Sequence, residues 1–415
     1  IRATQDSAAQ RRGRAGRLEP GICYRLWTEQ EHQSLAPRRP PEILDADLSS
    51  LLLETARWGV SDPLELSWLT PPPPGAVAQA RELLTRLGAL NANGRLTPHG
   101  QQMGELPLHP RLAHMLLRSV PRGCARLACD LAALLTERDL LRAPSARESD
   151  VRLRLDVMHS NRAGSFVDRR AIERLNRTAR QWESHLQQLT GMRPPGGSTN
   201  IDLAGLLLAI AYPDRIAQRQ RGSEPRYILA NGRGAVFTHP DPLALEPYLV
   251  IAELDAGSQW ARIDMAAPVA QKDIEQLYQA EIAKSEAVAW DERTGAVRAS
   301  RQRCLGALVL SNEALSQPDP SLVATALVNG VRRAGLHTLA WTPELEDWRM
   351  RVRFLQRLQG ETAAWPDVSD ERLVETLDDW LGPYLVGMTT LERVQRMDLT
   401  QPLHGLLSRA QQEQL

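Results

Sequence analysis

Apolar and polar positions along this chain follow two different periods. From Leu48 to Trp58 the order Leu-Ser-Ser-Leu-Leu-Leu-Glu-Thr-Ala-Arg-Trp spaces apolar side chains by three and four residues, which predicts an amphipathic helix. The proline run Pro71 to Pro74 breaks the chain, the helical period returns from Ala76 to Leu87, and Gly88 caps it. Ala89 to Thr97 then reads as a small hairpin turning at Asn93-Gly94. Helix, helix and hairpin together predict a winged helix, which as a standalone signal points to DNA binding. Leu106 to Leu116 opens a second helical domain, and Cys124 to Leu135 and Asp168 to Leu189 supply its long helices. Pro194-Pro195-Gly196-Gly197-Ser198 is a linker by composition, and Leu203 to Ala211 is apolar enough for a buried helix.

After Tyr212 the period shortens. Arg226 to Leu229, Ala235 to Thr238, Tyr248 to Glu253 and Ala261 to Ile263 alternate or run apolar with turns between them, which predicts a small antiparallel barrel. Trp290 to Leu310 alternates like further strands, and Pro320 to Leu415 is mostly helical, with Trp341, Trp348, Trp365 and Trp380 as packing anchors. Near the front, Gly21 to Trp27 is a short apolar and aromatic run that reads as a strand. The chain is therefore multidomain α+β, and at 415 residues it can bury several cores in three or four domains.

The most specific chemistry lies ahead of all these elements. Gln10-Arg11-Arg12-Gly13-Arg14-Ala15-Gly16-Arg17 packs four arginines and two glycines into eight residues. Each arginine carries a permanent charge in a planar fork that matches phosphate oxygens. A charge run is usually a solvated face, but the Gln-Arg opening and the glycines at three-residue spacing make this pattern far more specific than a basic run. The form Q-R-x-G-R-A-G-R resembles the last conserved motif of DEAH-type superfamily 2 helicases. Pro41-Glu42-Ile43-Leu44 resembles the peptide by which those enzymes leave the RecA-like core, and similarity continues block by block to about Val250, best with the bacterial HrpB branch.

The resemblance carries expectations. It implies the end of a RecA-like lobe at 1–40, a winged helix at 41–107, a helical ratchet domain at 108–198, an OB-fold at 199–270 and a truncated HrpB-type extension at 271–415. In that family the winged helix mainly braces the helicase lobes. Gln10 would touch the γ-phosphate of ATP, and Arg14 and Arg17 would act as catalytic arginine fingers on the charge that develops during hydrolysis. OB-folds bind single strands with basic edges and stacking faces, so Arg219, Arg221, Arg226 and Arg233 are the candidates for RNA phosphate contact.

Two absences bound the reading. Lys272 and Lys284 are the only lysines, and neither follows a glycine-rich turn, so the chain holds no P-loop; no Asp-Glu-x-His box is present either. A DEAH helicase keeps both on a first RecA-like lobe. That lobe would precede Ile1 and hold most of the ATP and Mg2+, making this chain the later part of a longer enzyme, inactive by itself.

Composition fits a cytoplasmic protein, with 42% hydrophobic and 24% charged residues, no apolar run of membrane-spanning length, and no signal peptide. Cys124 and Cys129 stand five apart without partners at metal-ligand spacing, which favours buried thiols over zinc. His109 and His114, also five apart and beside Pro110, favour capping or packing over a metal site. Net charge is formally +0, yet Ser160 to Ala235 holds twelve arginines against six acids, a local +6, and Glu361 to Thr400 holds nine acids against three arginines, a local −6. A basic groove needs no basic protein. Arg169, Arg170, Arg174, Arg177 and Arg180 fall largely on one helix face, which fits a solvated surface or the wall of an RNA channel equally. Two other classes stay open: a nucleic-acid-binding module without ATPase, and a scaffold whose acidic region recruits a protein.

Overall fold

A computed structural model describes residues 3–137, 139–141, 148–160, 168–191, 199–220, 222, 225–255, 260–359 and 365–415. The chain divides into two compact units. The first comprises Ile1–Ile216, Phe237–Ala256 and Arg262–Val269, and the second Ala217–Val236, Gly257–Ala261 and Ala270–Leu415. Arg221 and the linker Pro194–Ser198 lie outside the described residues.

The first unit begins with two surface helices, α1 (Gln5–Ala15) and α2 (Glu29–Ser34). Helices α3 (Ser49–Arg57) and α4 (Pro74–Arg86) follow near the expected positions, and α5 (Pro98–Glu105), which was not expected, comes after the hairpin. Their apolar faces bury Leu52, Leu53, Val77, Leu84 and Met103 together. The Asn91 side chain accepts from the backbone N–H of Asn93 and Arg95 at 2.9 and 3.0 Å, and Leu90 bridges Leu96, which closes the hairpin expected at Asn93-Gly94.

A helical bundle then forms from α6 (Pro110–Ser119), α7 (Ala125–Thr136), α8 (Val151–Ser160), α9 (Arg169–Thr190) and α10 (Ala204–Ala211). Helices α7 and α10 are apolar nearly all round and are buried accordingly, with Cys129 inside α7 and Cys124 at its N-cap. Both thiols are buried, and burial raises the pKa of each. His109 is the N-cap of α6, its ring accepting from the Arg111 N–H at 3.3 Å, and His114 packs edge-on to His99.

Five strands close into a barrel in the order β1-β2-β3-β5-β4: β1 (Ile216–Arg219), β2 (Arg226–Leu229), β3 (Gly234–Val236), β4 (Tyr248–Leu254) and β5 (Trp260–Pro268). Four were expected, whereas β1 was not read as a strand, and Ala261 to Ile263 proves to be part of a nine-residue strand. Along β2 exposed Arg226 alternates with buried Tyr227 and Leu229, the mark of a strand with one face on a core.

The second unit continues with α11 (Gln271–Leu277) and an antiparallel sheet of β6 (Ala283–Asp291), β7 (Ala296–Leu305) and β8 (Leu308–Ala314). Gln218 on β1 fastens β8, donating to the Val309 carbonyl at 2.7 Å and accepting from its N–H at 3.0 Å. Among the described residues the α-helices α12 (Pro320–Ala334), α13 (Pro343–Gln359), α14 (Asp370–Glu375), α15 (Leu377–Trp380), α16 (Leu391–Gln395), α17 (Thr400–His404) and α18 (Arg409–Gln412) follow. Their core holds Leu327, Val331 and Leu403 around Trp348, Trp365 and Trp380, with Trp341 half-buried beside it, so the four tryptophans do anchor this region.

One expected element is missing. Gly21 to Trp27 forms no strand, and Ile22, Tyr24 and Leu26 are 78%, 82% and 94% exposed. A strand exists only against a partner that takes its backbone hydrogen bonds, and no described strand lies beside this segment.

Candidate functional site

The arginine motif occupies α1 and the bend after it. Gln5 secures the helix start, donating from its side chain to the Leu35 carbonyl at 3.0 Å and from its backbone to Ala36 at 3.0 Å. Asp6 accepts from the Thr4 hydroxyl. At the other end, a Cβ on Gly21 would lie 1.8 Å from the Ala15 carbonyl oxygen, so only glycine lets the returning chain pass this close to the last turn. Ala8 is the one described residue of α1 that is buried. Gln10 and Arg14, four residues apart, therefore share an exposed face, and Arg17 follows in the bend beyond the Gly16 cap. Among the described residues none of Arg11, Arg12, Arg14 and Arg17 enters an ion pair. Uncompensated guanidinium groups on a braced helix are ready to take an anion with several oxygens.

The barrel carries a second basic and aromatic surface. The Arg226 guanidinium lies over the Trp260 ring at 5.0 Å from its centroid. The same ring covers Gly234, where a Cβ would meet it at 2.5 Å. Directly opposed residues share one face of a sheet, so the pairing of Ile228 with Gly234 and Arg226 with Val236 sets this cluster on the outer face of β2 and β3. Arg233 is exposed at the turn between those strands. Arg219 differs: it pairs with buried Tyr227, on the inner-facing side of the ladder, and its Nε is buried. The register thus puts Arg226 beside Trp260 and sets Arg219 apart, while Arg233 stands in the turn, opposite Leu229 and next to the Gly234 that the ring covers. Trp260 was not singled out in the sequence, where nothing local marks it from the other tryptophans.

A third feature lies in the bundle. Asp168 caps α9, accepting from the N–H of Arg170 and Ala171 at 3.0 and 3.3 Å, and the five arginines of the stripe are exposed. The helix borders a cleft of about 1090 Å³ lined by Arg126, Met158, His159, Ile172, Arg177 and Arg180. At its floor Asp130 is fully buried and charge-compensated by Arg126 at 3.0 Å, with the His159 ring nitrogen 2.9 Å away, while Arg126 also reaches Glu183 at 3.1 Å. No motif in the sequence signals this network. Among the described residues no three His, Cys, Asp or Glu side chains stand close enough to hold a metal ion.

Buried polar contacts elsewhere fix the scaffold. Arg111 on α6 meets Asp214 in a two-pronged pair at 2.6 and 3.0 Å, and both Arg111 and Arg215 lie over the Tyr212 ring, at 5.2 and 4.9 Å. His109 donates to Asp47, at 3.4 Å, and this bond foremost holds the Asp47 carboxyl well below its ordinary range. His99 and His114 touch nitrogen to nitrogen at 2.8 Å, which requires an N–H on one ring and a bare nitrogen on the other, and burial, with the neighbouring cations, pushes His114 down to about 3. No described helix is long and apolar enough to cross a membrane.

Comparison with known proteins identifies these parts. The family model of the helicase-associated HA2 winged helix matches residues 80–108, the hairpin and its flanking helices, and that of the connector region of the ATP-dependent RNA helicase HrpB matches residues 281–315, the sheet β6 to β8. The ATP-dependent RNA helicase HrpB of Escherichia coli is 36% identical over 417 residues, covering 100% of this chain and 48% of that protein. The probable ATP-dependent RNA helicase DHR2 of Saccharomyces cerevisiae is 38% identical over 147 residues, or 35% of this chain and 20% of its own length. A crystal structure of the Escherichia coli DEAH/RHA helicase HrpB superposes with a TM-score of 0.59 at 33% identity, covering 100% of this chain and 49% of that one. The chain spans about half the length of the HrpB protein it matches throughout. A winged-helix match, an HrpB-specific connector match and similarity from end to end agree: this chain belongs to the HrpB-type DEAH helicases.

Proposed function

We propose that this chain is the accessory part of an ATP-dependent RNA helicase, coupling ATP hydrolysis elsewhere in the protein to movement along or unwinding of RNA. The observation that carries this reading is the braced arginine helix, exposed and without counter-ions among the described residues, in a chain similar to HrpB from end to end. Gln10 would contact the γ-phosphate of the substrate ATP, and Arg14 and Arg17 would stabilise the charge of the departing phosphoryl group. Most of the contacts to Mg2+ and the remaining phosphates would come from outside this chain.

The barrel is read as an OB-fold and the α6 to α10 bundle as the ratchet domain. Single-stranded RNA would run over Arg226, Arg233 and Trp260, with Arg219 and Arg221 as further phosphate contacts. Such contacts hold the backbone without reading sequence, while Trp260 offers a stacking surface to any base that displaces the Arg226 guanidinium from its ring. Titrating labelled single-stranded RNA into the chain across a salt series tests this. Each phosphate contact contributes roughly −0.7 to the slope of log K against log salt, so three or four engaged arginines give about −2 to −3. Neutralising Arg219, Arg221, Arg226 and Arg233 together should flatten the slope, and an unchanged slope would move the RNA path off the barrel.

A further inference from the structure

Helix α13 has two apolar faces, and the core uses one. Leu345, Trp348 and Val352 are buried, and Arg349 ties that side down, lying over Trp341 and donating to the Val368 carbonyl at 2.7 Å. On the opposite side Met350, Phe354 and Leu358 recur every four residues and are 61%, 64% and 68% exposed. At 1.5 Å rise per residue they form a stripe about 12 Å long. Three large apolar side chains stacked on successive turns form a contiguous exposed patch, unlike a single surface leucine. By helical spacing Arg353 and Arg357 flank the stripe on one side and Arg351 on the other. All three arginines are exposed, and none forms an ion pair among the described residues, Arg351 donating only to the Leu415 carbonyl at 3.2 Å.

We propose that this face docks an acidic amphipathic helix of a protein partner, its apolar residues on the stripe and its carboxylates on the flanking arginines. Amphipathic helices are recognised in this way, through apolar anchors repeated on one face at successive turns. Charge also separates this partner from RNA. The chain just beyond α13, Glu361 to Thr400, carries nine acids against three arginines. Asp367, held below its ordinary value first by the Ser369 N–H and also by the charge of Arg353, shows that these arginines attract carboxylates; a helix of a few turns can confine its carboxylates to them, whereas a nucleic acid strand is charged along its whole length. The stripe's aliphatic ends, Met350 and Leu358, also suit an apolar helix face better than a base.

A synthetic peptide of about 14 residues, roughly four helical turns, tests this, with leucine at i, i+4 and i+8, glutamate on both flanks and a fluorescent label, titrated with the 415-residue chain. Anisotropy should show saturable binding. Phe354→Asp should weaken it at least about tenfold, as expected when a central anchor is lost. The pair Arg353→Glu and Arg357→Glu should weaken it similarly and should regain affinity for the same peptide with lysine in place of glutamate, a rescue that general misfolding cannot produce. The proposal is overturned if the peptide does not bind, if either variant binds it unchanged, or if charge reversal is not rescued. It also fails if single-stranded oligouridylate displaces the peptide and loses affinity in the arginine variant, which would make the stripe an RNA site. Self-association of the chain that Phe354→Asp abolishes would assign the stripe to a second copy instead.

Discussion

Removing Asp214 should expose how strongly the bundle depends on one buried ion pair. Arg111 and Asp214 are joined by bonds of 2.6 and 3.0 Å, and Arg111 adds a third bond to the Ala211 carbonyl at 3.2 Å. Arg111 is only 8% exposed at its side chain, against 25% for Asp214. Asp214→Ala therefore strands a guanidinium inside the protein, a change that typically costs about 3 to 5 kcal/mol. The partial exposure of the site puts the expectation at the lower end, about 3 kcal/mol. Arg111→Met leaves a carboxylate that can reach water and should cost less. The double variant Arg111→Met with Asp214→Leu buries no charge and should lie within about 1 kcal/mol of the parent. Burial alone would raise the Asp214 pKa, but hydrogen bonds and charge from Arg111 outweigh it and hold the group below 3.8. A depressed folded pKa means that the stabilisation is full above the ordinary carboxylate value and is lost as pH falls from there through the folded one. The gap between parent and Asp214→Ala should thus persist at neutral pH and close in acid below about 3.8. Urea unfolding followed by circular dichroism, with hydrogen exchange on α6 and α10 amides, measures both. A loss under about 1 kcal/mol for Asp214→Ala, or a double variant no better than the single, would refute the reasoning.

Other outcomes follow from the same geometry. His114 is held down to about 3 from an ordinary 6.5, so the folded state resists protonation and loses stability as pH falls from 6.5 towards 3, by up to about 1.4 kcal/mol per pH unit; in His114→Phe that slope should shrink, as thermal melts at several pH values would reveal. Trp260→Ala should weaken single-stranded RNA binding by about 1 to 3 kcal/mol with the salt slope unchanged, whereas Arg226→Ala should reduce the slope by roughly 0.7, so the two variants separate stacking from charge in one titration series. Gly21→Ala would drive a methyl to 1.8 Å from the Ala15 carbonyl and displace the end of α1; in a longer protein containing this chain, ATP turnover should fall while RNA affinity holds, and unchanged turnover would detach Gly21 from the arginine motif.

Local signals in the chain were read well because their physics is local. The helix ending near Gly88, the turn at Asn93-Gly94 and the alternation of Arg226 to Leu229 each follow from spacing within a few residues, and each stands in the structure. Contacts across long separations left no such trace. Arg111 and Asp214 are 103 residues apart, His159 and Asp130 are 29 apart, and the Trp260 ring over Gly234 depends on which strands meet. Gly21 to Trp27 departs from the strand its composition predicts for a related reason: a strand is a relation between two segments, and composition describes one. For the site, the arginine motif was legible as a string of residue types, while the bracing of its helix by Gln5 and Gly21 was not.

RNA-stimulated ATP hydrolysis by a longer protein that contains this chain tests the central claim most directly, comparing the parent with Arg14→Ala and Arg17→Ala. Loss of an arginine finger removes on the order of 10³ or more in rate. Each variant is therefore expected to lose essentially all turnover while keeping most of its affinity for single-stranded RNA. Near-normal turnover in either variant would contradict the account and make that arginine a structural part of the motif.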